Sequence, residues 1–315
     1  MTGSEQHDGR MNRRSFLARS TAGALGAAMG ARARAQGQVR SRVVVARDEQ
    51  AVSGDQVDAD RVAAMLSKAM AALFGKPASD AWKGLFTVED TVGIKSTVMM
   101  NPVHPELLFA IHAALTEHVG IEDARVRVWD RNRGGVGRAE LATMPRSLSY
   151  HDDYIVDMVH ESTALINCPS LKRHWLAGIG GAVKNWCGAV RGINPMDNGE
   201  AVFKFHGDSC AQMGMLNALP PIRERCRLIV IDALTPCHGP GPQVNPADLW
   251  AYGGLIVSTD PVAADVVGAQ ILEAKLEEIN GRPTPLTPPT RHLQVADAEY
   301  GLGCSDAAAI EVVRV

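Results

Sequence analysis

The sequence predicts an α/β fold: a mostly parallel sheet flanked by helices, in one domain or two closely packed lobes. Two observations carry this prediction. Short apolar runs alternate along the chain with longer stretches of helical spacing. Polar residues such as Asp130, Asn167, Asp232 and Asp260 stand where those runs stop, which is where parallel α/β sheets put their sites.

Arg42–Ala46 (RVVVA) reads as a buried strand. Ala59–Phe74 carries apolar residues at helical spacing, with Asp58 where an N-cap belongs. Thr91–Val98 reads as a strand that contains Lys95 and Ser96, and Pro105–Val119 as an amphipathic helix with Pro in its first turn. Arg125–Trp129 alternates and stops at Asp130, and Ser162–Asn167 is a further apolar strand. Leu228–Ile231 ends at Asp232, while Leu255–Ser258 leads through Asp260 and Pro261 into a helix running to about Lys275. Asn280–Thr290, rich in Pro and Thr, reads as a surface loop. Ala298–Gly303 closes a helix on glycine, and Ile310–Val315 is the last strand.

The N-terminus sets the compartment. Met11–Leu17 (MNRRSFL) carries a twin-arginine pair, followed by an Ala/Gly-rich run to Gly30 and an Ala-x-Ala pattern at Ala33–Ala35. That order of charge, apolar run and small-residue cleavage site is a secretory signal of the Tat type. Residues 1–35 are therefore expected to be a signal, 36–89 an N-terminal α/β portion and 90–315 the main region. The expected location is the periplasm, with the Tat translocon as a partner during export. The route carries folded proteins, often already loaded with a cofactor, and so raises the expectation of one.

The signal's apolar run is too short to span a bilayer, and nothing after it is a transmembrane candidate. Losing residues 1–35 would take the net charge from −3 to −7. An acidic chain argues against nucleic acid and against an anionic membrane surface as partners. None of the six cysteines forms a C-x-x-C pair, so no zinc ribbon or iron–sulfur motif is written here. Their even number permits disulfides but fixes no pairing.

The candidate site centres on Lys172–Val190 (KRHWLAGIGGAVKNWCGAV), where His174 and Lys184 flank a glycine-rich run. Gly180 and Gly181 would let backbone approach an anion, at the N-terminus of a helix starting near Gly181. Lys184 and Asn185 would then hold a cofactor or substrate. His174, Lys184 and Lys95 are the candidate catalytic groups. His206 joins them as a metal ligand, although a lone loop histidine is ordinarily structural. Cys237 and His238, adjacent in a Pro/Gly loop, could offer a thiolate and an imidazole to a soft metal; the plainer reading is a rigid loop. Asp232 and Asp260 complete the opposite wall, with Asp260 reading first as a helix cap. His104 also reads as a cap, and Asp265 needs a partner, with Lys95 or Lys184 as candidates.

Several runs together resemble the domain-of-unknown-function 362 family: GIKSTV, HPELLFAIHAAL, LINCPSLKRH, AVKNWCGAV, IDALTPCHGPGP, STDPVAADVV and AEYGLG. They span roughly Asp90 to Val315. Many members of that family carry a ferredoxin-like cluster, whose cysteines this chain lacks. Cys237-His238 also departs from the family's usual Glu-Gly before GP. A shorter run, His174–Lys184 with His206 beyond it, is similar to the lactate racemase family. That similarity implies a nickel-pincer nucleotide tethered at Lys184, His174 as acid/base group and His206 as metal ligand, with His104 or His151 as a second proton carrier. The expected function is an enzyme of redox or isomerase type acting on a small anionic molecule; the alternative is a periplasmic metal- or ligand-binding protein without catalysis.

Overall fold

The computed structural model describes residues 39–130, 146–150, 153–191 and 201–315, so the signal region and His151 lie outside the described residues. Within them the chain adopts the predicted class. In chain order come β1 (Ser41–Arg47), α1 (Ala59–Phe74), α2 (Ala78–Leu85), β2 (Val92–Lys95), α3 (Pro105–Ala113), β3 (Val126–Trp129) and β4 (Ala164–Asn167). They are followed by β5 (Ser170–His174), β6 (Gly178–Ile179), α4 (Ala182–Asn185), β7 (Cys226–Cys237), β8 (Gly254–Ser258), α5 (Pro261–Asn280), α6 (Arg291–Ala298) and β9 (Ile310–Arg314).

The main sheet runs β9-β1-β8-β7-β4-β2-β3, with β5 along the far half of β7 and β6 folded back on β5. β3, β2, β4 and β7 are parallel, as are β5 with β7 and β9 with β1. β8 runs against both its neighbours.

The strands are apolar on both faces because both faces are covered. In β7, Ile229, Ile231 and Ala233 point to one core and Leu228, Val230 and Leu234 to the other. α1 and α3 cover the second with Leu66, Met70, Leu107 and Ile111. α5, α4 and the turn to Trp186 cover the first. As predicted, Asp58 caps α1, accepting the Arg61 N–H at 3.0 Å, and left-handed Gly75 ends it. α5 outruns its expected end because no breaker precedes left-handed Gly281. No helix among the described residues is long and apolar enough to cross a membrane.

Two segments differ from expectation. The helix predicted over Pro105–Val119 is α-helical only to Ala113 and then widens into a π turn. There Thr116 Oγ1 donates back to the His112 and Ala113 carbonyls at 3.1 and 3.2 Å, competing with the backbone. The run before Gly181 is a strand pair, β5 and β6, with left-handed Gly178 opening β6. A Cβ at Gly178 would overlap the Pro288 carbonyl, so the 280–290 loop, mostly exposed as expected, also packs against this pair.

Candidate functional site

Sheet register builds the floor of the site. Lys95, the last residue of β2, lies beside Trp129 on one side and Asn167 on the other. Three parallel strands thus end level, as the sequence pattern implied. Lys95 is 1% exposed and its Nζ donates to Asp130 Oδ1 at 2.7 Å, Ser96 O at 2.7 Å and Asn185 Oδ1 at 3.0 Å. An ammonium has three N–H donors, and all three are spent. The catalytic role expected of Lys95 therefore does not fit: it is the buried counter-charge of Asp130. Gly188 makes room for this pair, since a Cβ there would lie 2.7 Å from Asp130 Oδ1 and 2.8 Å from Lys95 Cε.

Asn185 is the hub of the floor. Its Oδ1 also accepts Thr97 Oγ1–H at 3.1 Å, and its Nδ2 donates to Lys95 O at 3.0 Å and Asn167 Oδ1 at 2.8 Å. Asn167 in turn donates to the Ala182 carbonyl at 2.8 Å. Asn185 thus ties α4 to the strand ends; its amide is committed to the protein, not offered to a cofactor.

The expected anion nest at Gly180–Gly181 exists, but the protein fills it. Asp265 of α5 places Oδ1 on the Ala182 N–H at 2.5 Å and Oδ2 on the Val183 N–H at 2.9 Å. A Cβ on Gly181 would overlap that carboxylate. Burial pushes Asp265 up to about 7, and the two amide N–H groups pull it back. The partner of Asp265 is therefore backbone, not Lys95 or Lys184. Gly180 packs on the stem of Lys172, with a Cβ position 3.2 Å from Cγ. Neither glycine is reserved for a ligand.

The expected opposite wall also comes apart. Asp260 accepts the Val262 and Ala263 N–H groups on Oδ1, both at 2.8 Å, and the Cys304 N–H at 2.8 Å and Ser41 hydroxyl on Oδ2. That fills its acceptor capacity, so Asp260 is a helix cap and not a ligand group. Asp232, 2% exposed, gives Oδ2 to the His104 N–H at 2.7 Å and His104 Nδ1–H at 2.8 Å, and Oδ1 to the Leu234 N–H at 2.9 Å. His104 sits at the cap position of α3, but its ring turns to Asp232 instead of the helix. Burial opposes the charged form of His104; the Asp232 hydrogen bond and charge outweigh it and raise its pKa. Its Nε2 meets Thr235 Oγ1 at 3.0 Å.

The metal set of His206, Cys237 and His238 does not converge. Cys237 ends β7, and His238 lies just beyond it. His238 turns to Trp250, ring centroids 6.0 Å apart, and to Asp248 at 4.0 Å. Cys237 is buried beside Lys172, its thiol pushed up by burial. Among the described residues no group of three His, Cys, Asp or Glu side chains is placed to hold a metal. All six cysteines are free thiols.

What the fold does gather is a cluster of cations and imidazoles. The rings of His174 and His206 lie 6.3 Å apart, inclined by 28°. The Leu176 N–H donates to His174 Nδ1 at 3.1 Å, which fixes the neutral ring's proton on Nε2. Burial, then the charges of Lys184, His206, Lys172 and His292, drive the His174 pKa far below its ordinary value. His174 is therefore a neutral N–H donor in the ligand-free protein. Lys172 and His292 were not singled out in the sequence. Lys172 is 6% exposed; burial, then Lys184, holds its amine down to about 7. His292 of α6 is fully buried, neither ring nitrogen finds a partner among the described residues, and burial with Lys184 lowers it to about 3. Lys184 Nζ itself makes no hydrogen bond or ion pair to a described residue.

Residues 101–270 match the model of a family described as Domain of unknown function (DUF362). The chain belongs to that family. The DUF362 match contains Lys172, His174, Lys184, His206, Asp232 and Asp265, while Lys95 and His292 fall outside it. None of the curated proteins matches the chain.

Proposed function

We propose that this DUF362 protein is an exported enzyme that binds a small organic anion at Lys172, Lys184 and His174 and carries out isomerase- or redox-type chemistry on it. One observation supports this above the rest. Two amines and a set of imidazoles are drawn together, and the carboxylate acting on Lys172, Asp130, is already bound to Lys95. Buried like charges cost free energy unless a counter-charge arrives. A carboxylate would supply it, and the His174 Nε2–H would be a donor for a neighbouring hydroxyl or carbonyl oxygen.

The residues fit a group tethered at Lys184 in two respects: the amine is uncommitted, and the His174–His206 pair lies beside it. Such a nickel-pincer nucleotide, as the racemase similarity implies, would supply an electron sink for a hydroxy-acid carbon. It would draw on His206 and not on Cys237 or His238. Export rests on Arg13, Arg14 and Ala33–Ala35; the double change Arg13→Lys, Arg14→Lys should hold the protein in the cytoplasm.

The test is thermal unfolding with and without oxalate. Oxalate should stabilise the protein, by about 2.7 kcal/mol at a hundred times its Kd, and Lys184→Met should remove most of that gain. Equal stabilisation of both proteins would sink the reading. Stabilisation at this cluster with no turnover of any small hydroxy or oxo acid would leave a binding protein.

A further inference from the structure

We propose that Lys172 is an amine nucleophile, forming an imine with the carbonyl carbon of a small oxo acid. This rests on the reading that the cluster takes a small organic anion, and it adds the reacting atom.

Geometry carries the assignment. Lys172 projects from β5 beside Cys237 of β7, its stem held against the backbone of Gly180. Its Nζ donates to Ser170 Oγ at 3.0 Å and to Met99 O at 3.4 Å. The Ser170 hydroxyl gives its own hydrogen to the Asn101 carbonyl, so its oxygen is left to accept. A neutral amine has two hydrogens, and these two acceptors take both, leaving the lone pair uncommitted. Lys95 is the contrast: three acceptors surround its Nζ, one of them the Asp130 carboxylate. No carboxylate lies within ion-pair distance of Lys172 among the described residues.

The surroundings act the same way. Burial comes first, then Lys184 and Lys95, all against the proton; Asp130 and Cys237 act for it. An amine brought down to about 7 is far more often free at neutral pH than an ordinary lysine, which is almost wholly charged there. A desolvated lysine next to another cation is an activated nucleophile.

The step balances without an oxidant or reductant. The lone pair of Nζ attacks the carbonyl carbon, and the carbonyl π pair moves onto oxygen. The resulting carbinolamine loses that oxygen as water, which carries off the two amine hydrogens, and C=N forms. The imine then stabilises negative charge on the neighbouring carbon, which suits proton transfer there. In this reaction the Lys184 amine carries no tethered group and would hold the acid's carboxylate.

The experiment is borohydride trapping on the full chain. Glyoxylate or pyruvate is added at pH 7, sodium borohydride follows, and peptide mass mapping locates the adduct. The expected result is one reduced adduct on Lys172, formed about tenfold faster or more than on surface lysines, blocked by oxalate and absent in Lys172→Arg. Because that variant could lose its fold, oxalate protection of the unmodified protein is read independently. Trapping confined to Lys184 or to surface lysines, or none with either acid, would overturn the proposal. If trapping fails while oxalate still stabilises the protein through Lys184, anion binding stands and only the nucleophile is wrong. If both fail, neither reading holds.

Discussion

On one side of the Gly180–Asn185 turn stands Asp265; on the other stand Lys172, Lys184 and His174. Both groups are polar residues beside glycines, buried except for half-buried Lys184, and they look alike in the sequence. Their accounts close differently. Asp265 finds two amide N–H groups, and Gly181 yields the space its carboxylate occupies. The amines opposite find only neutral acceptors, at Lys172, or none among the described residues, at Lys184; Lys184 acts against the proton of Lys172, and both act against that of His174. A glycine next to polar groups thus says only that something comes close. Counting donors against acceptors says whether the protein has already supplied it.

The sharpest way to break this contrast is to unplug the closed side. Asp265→Ala would strand the Ala182 and Val183 N–H groups in the interior, and should cost about 3 kcal/mol or more in denaturant unfolding. Stability within experimental error of the parent would show that the nest is not closed by Asp265.

The open side should behave in the opposite sense. The amine of Lys172 sits at about 7 in the fold, against about 10.4 for an unfolded lysine. Between those values the unfolded chain holds more protons, so this group makes stability rise with pH across the window. Below it, the folded protein carries a buried charge. Lys172→Met should therefore stabilise the protein at pH 6, by up to about 4–5 kcal/mol. The gain should fade toward pH 10, and oxalate binding should weaken. Parallel stability–pH curves for the two proteins would show that this amine does not titrate where its burial places it.

Smaller effects sharpen the boundary between the two. Gly188→Ala puts a methyl against Lys95 and Asp130, and should cost about 1–3 kcal/mol by forcing their pair apart. His238→Ala, which touches neither group, should shift stability by about 0.5 kcal/mol or less and leave oxalate binding unchanged. Weakened binding in His238→Ala would restore the Pro/Gly loop to the site.

Much of the fold was legible because its signals are local. Period and length mark β1, α1 and β4, and the caps Asp58 and Asp260 announce their helices. The site was legible only in outline. His174 and Lys184 stand in one glycine-rich stretch, and His206 joined them only through the similarity of the longer run. Lys172 carries no local mark, because its burial comes from β7, distant in sequence, and from Gly180, just past the paired strand β6. His292 arrives on α6 from beyond the matched family region and carries no local mark. The same nonlocality misled the reading of Asp232, which looked like a ligand group until His104 closed on it across the sheet edge.

The most direct measurement is anomalous diffraction from crystals soaked in sodium bromide. The account predicts bromide beside Lys184 and the His174–His206 pair, and none at the Ala182 and Val183 amides, where Asp265 already sits. Bromide at those amides with the cluster empty would contradict it.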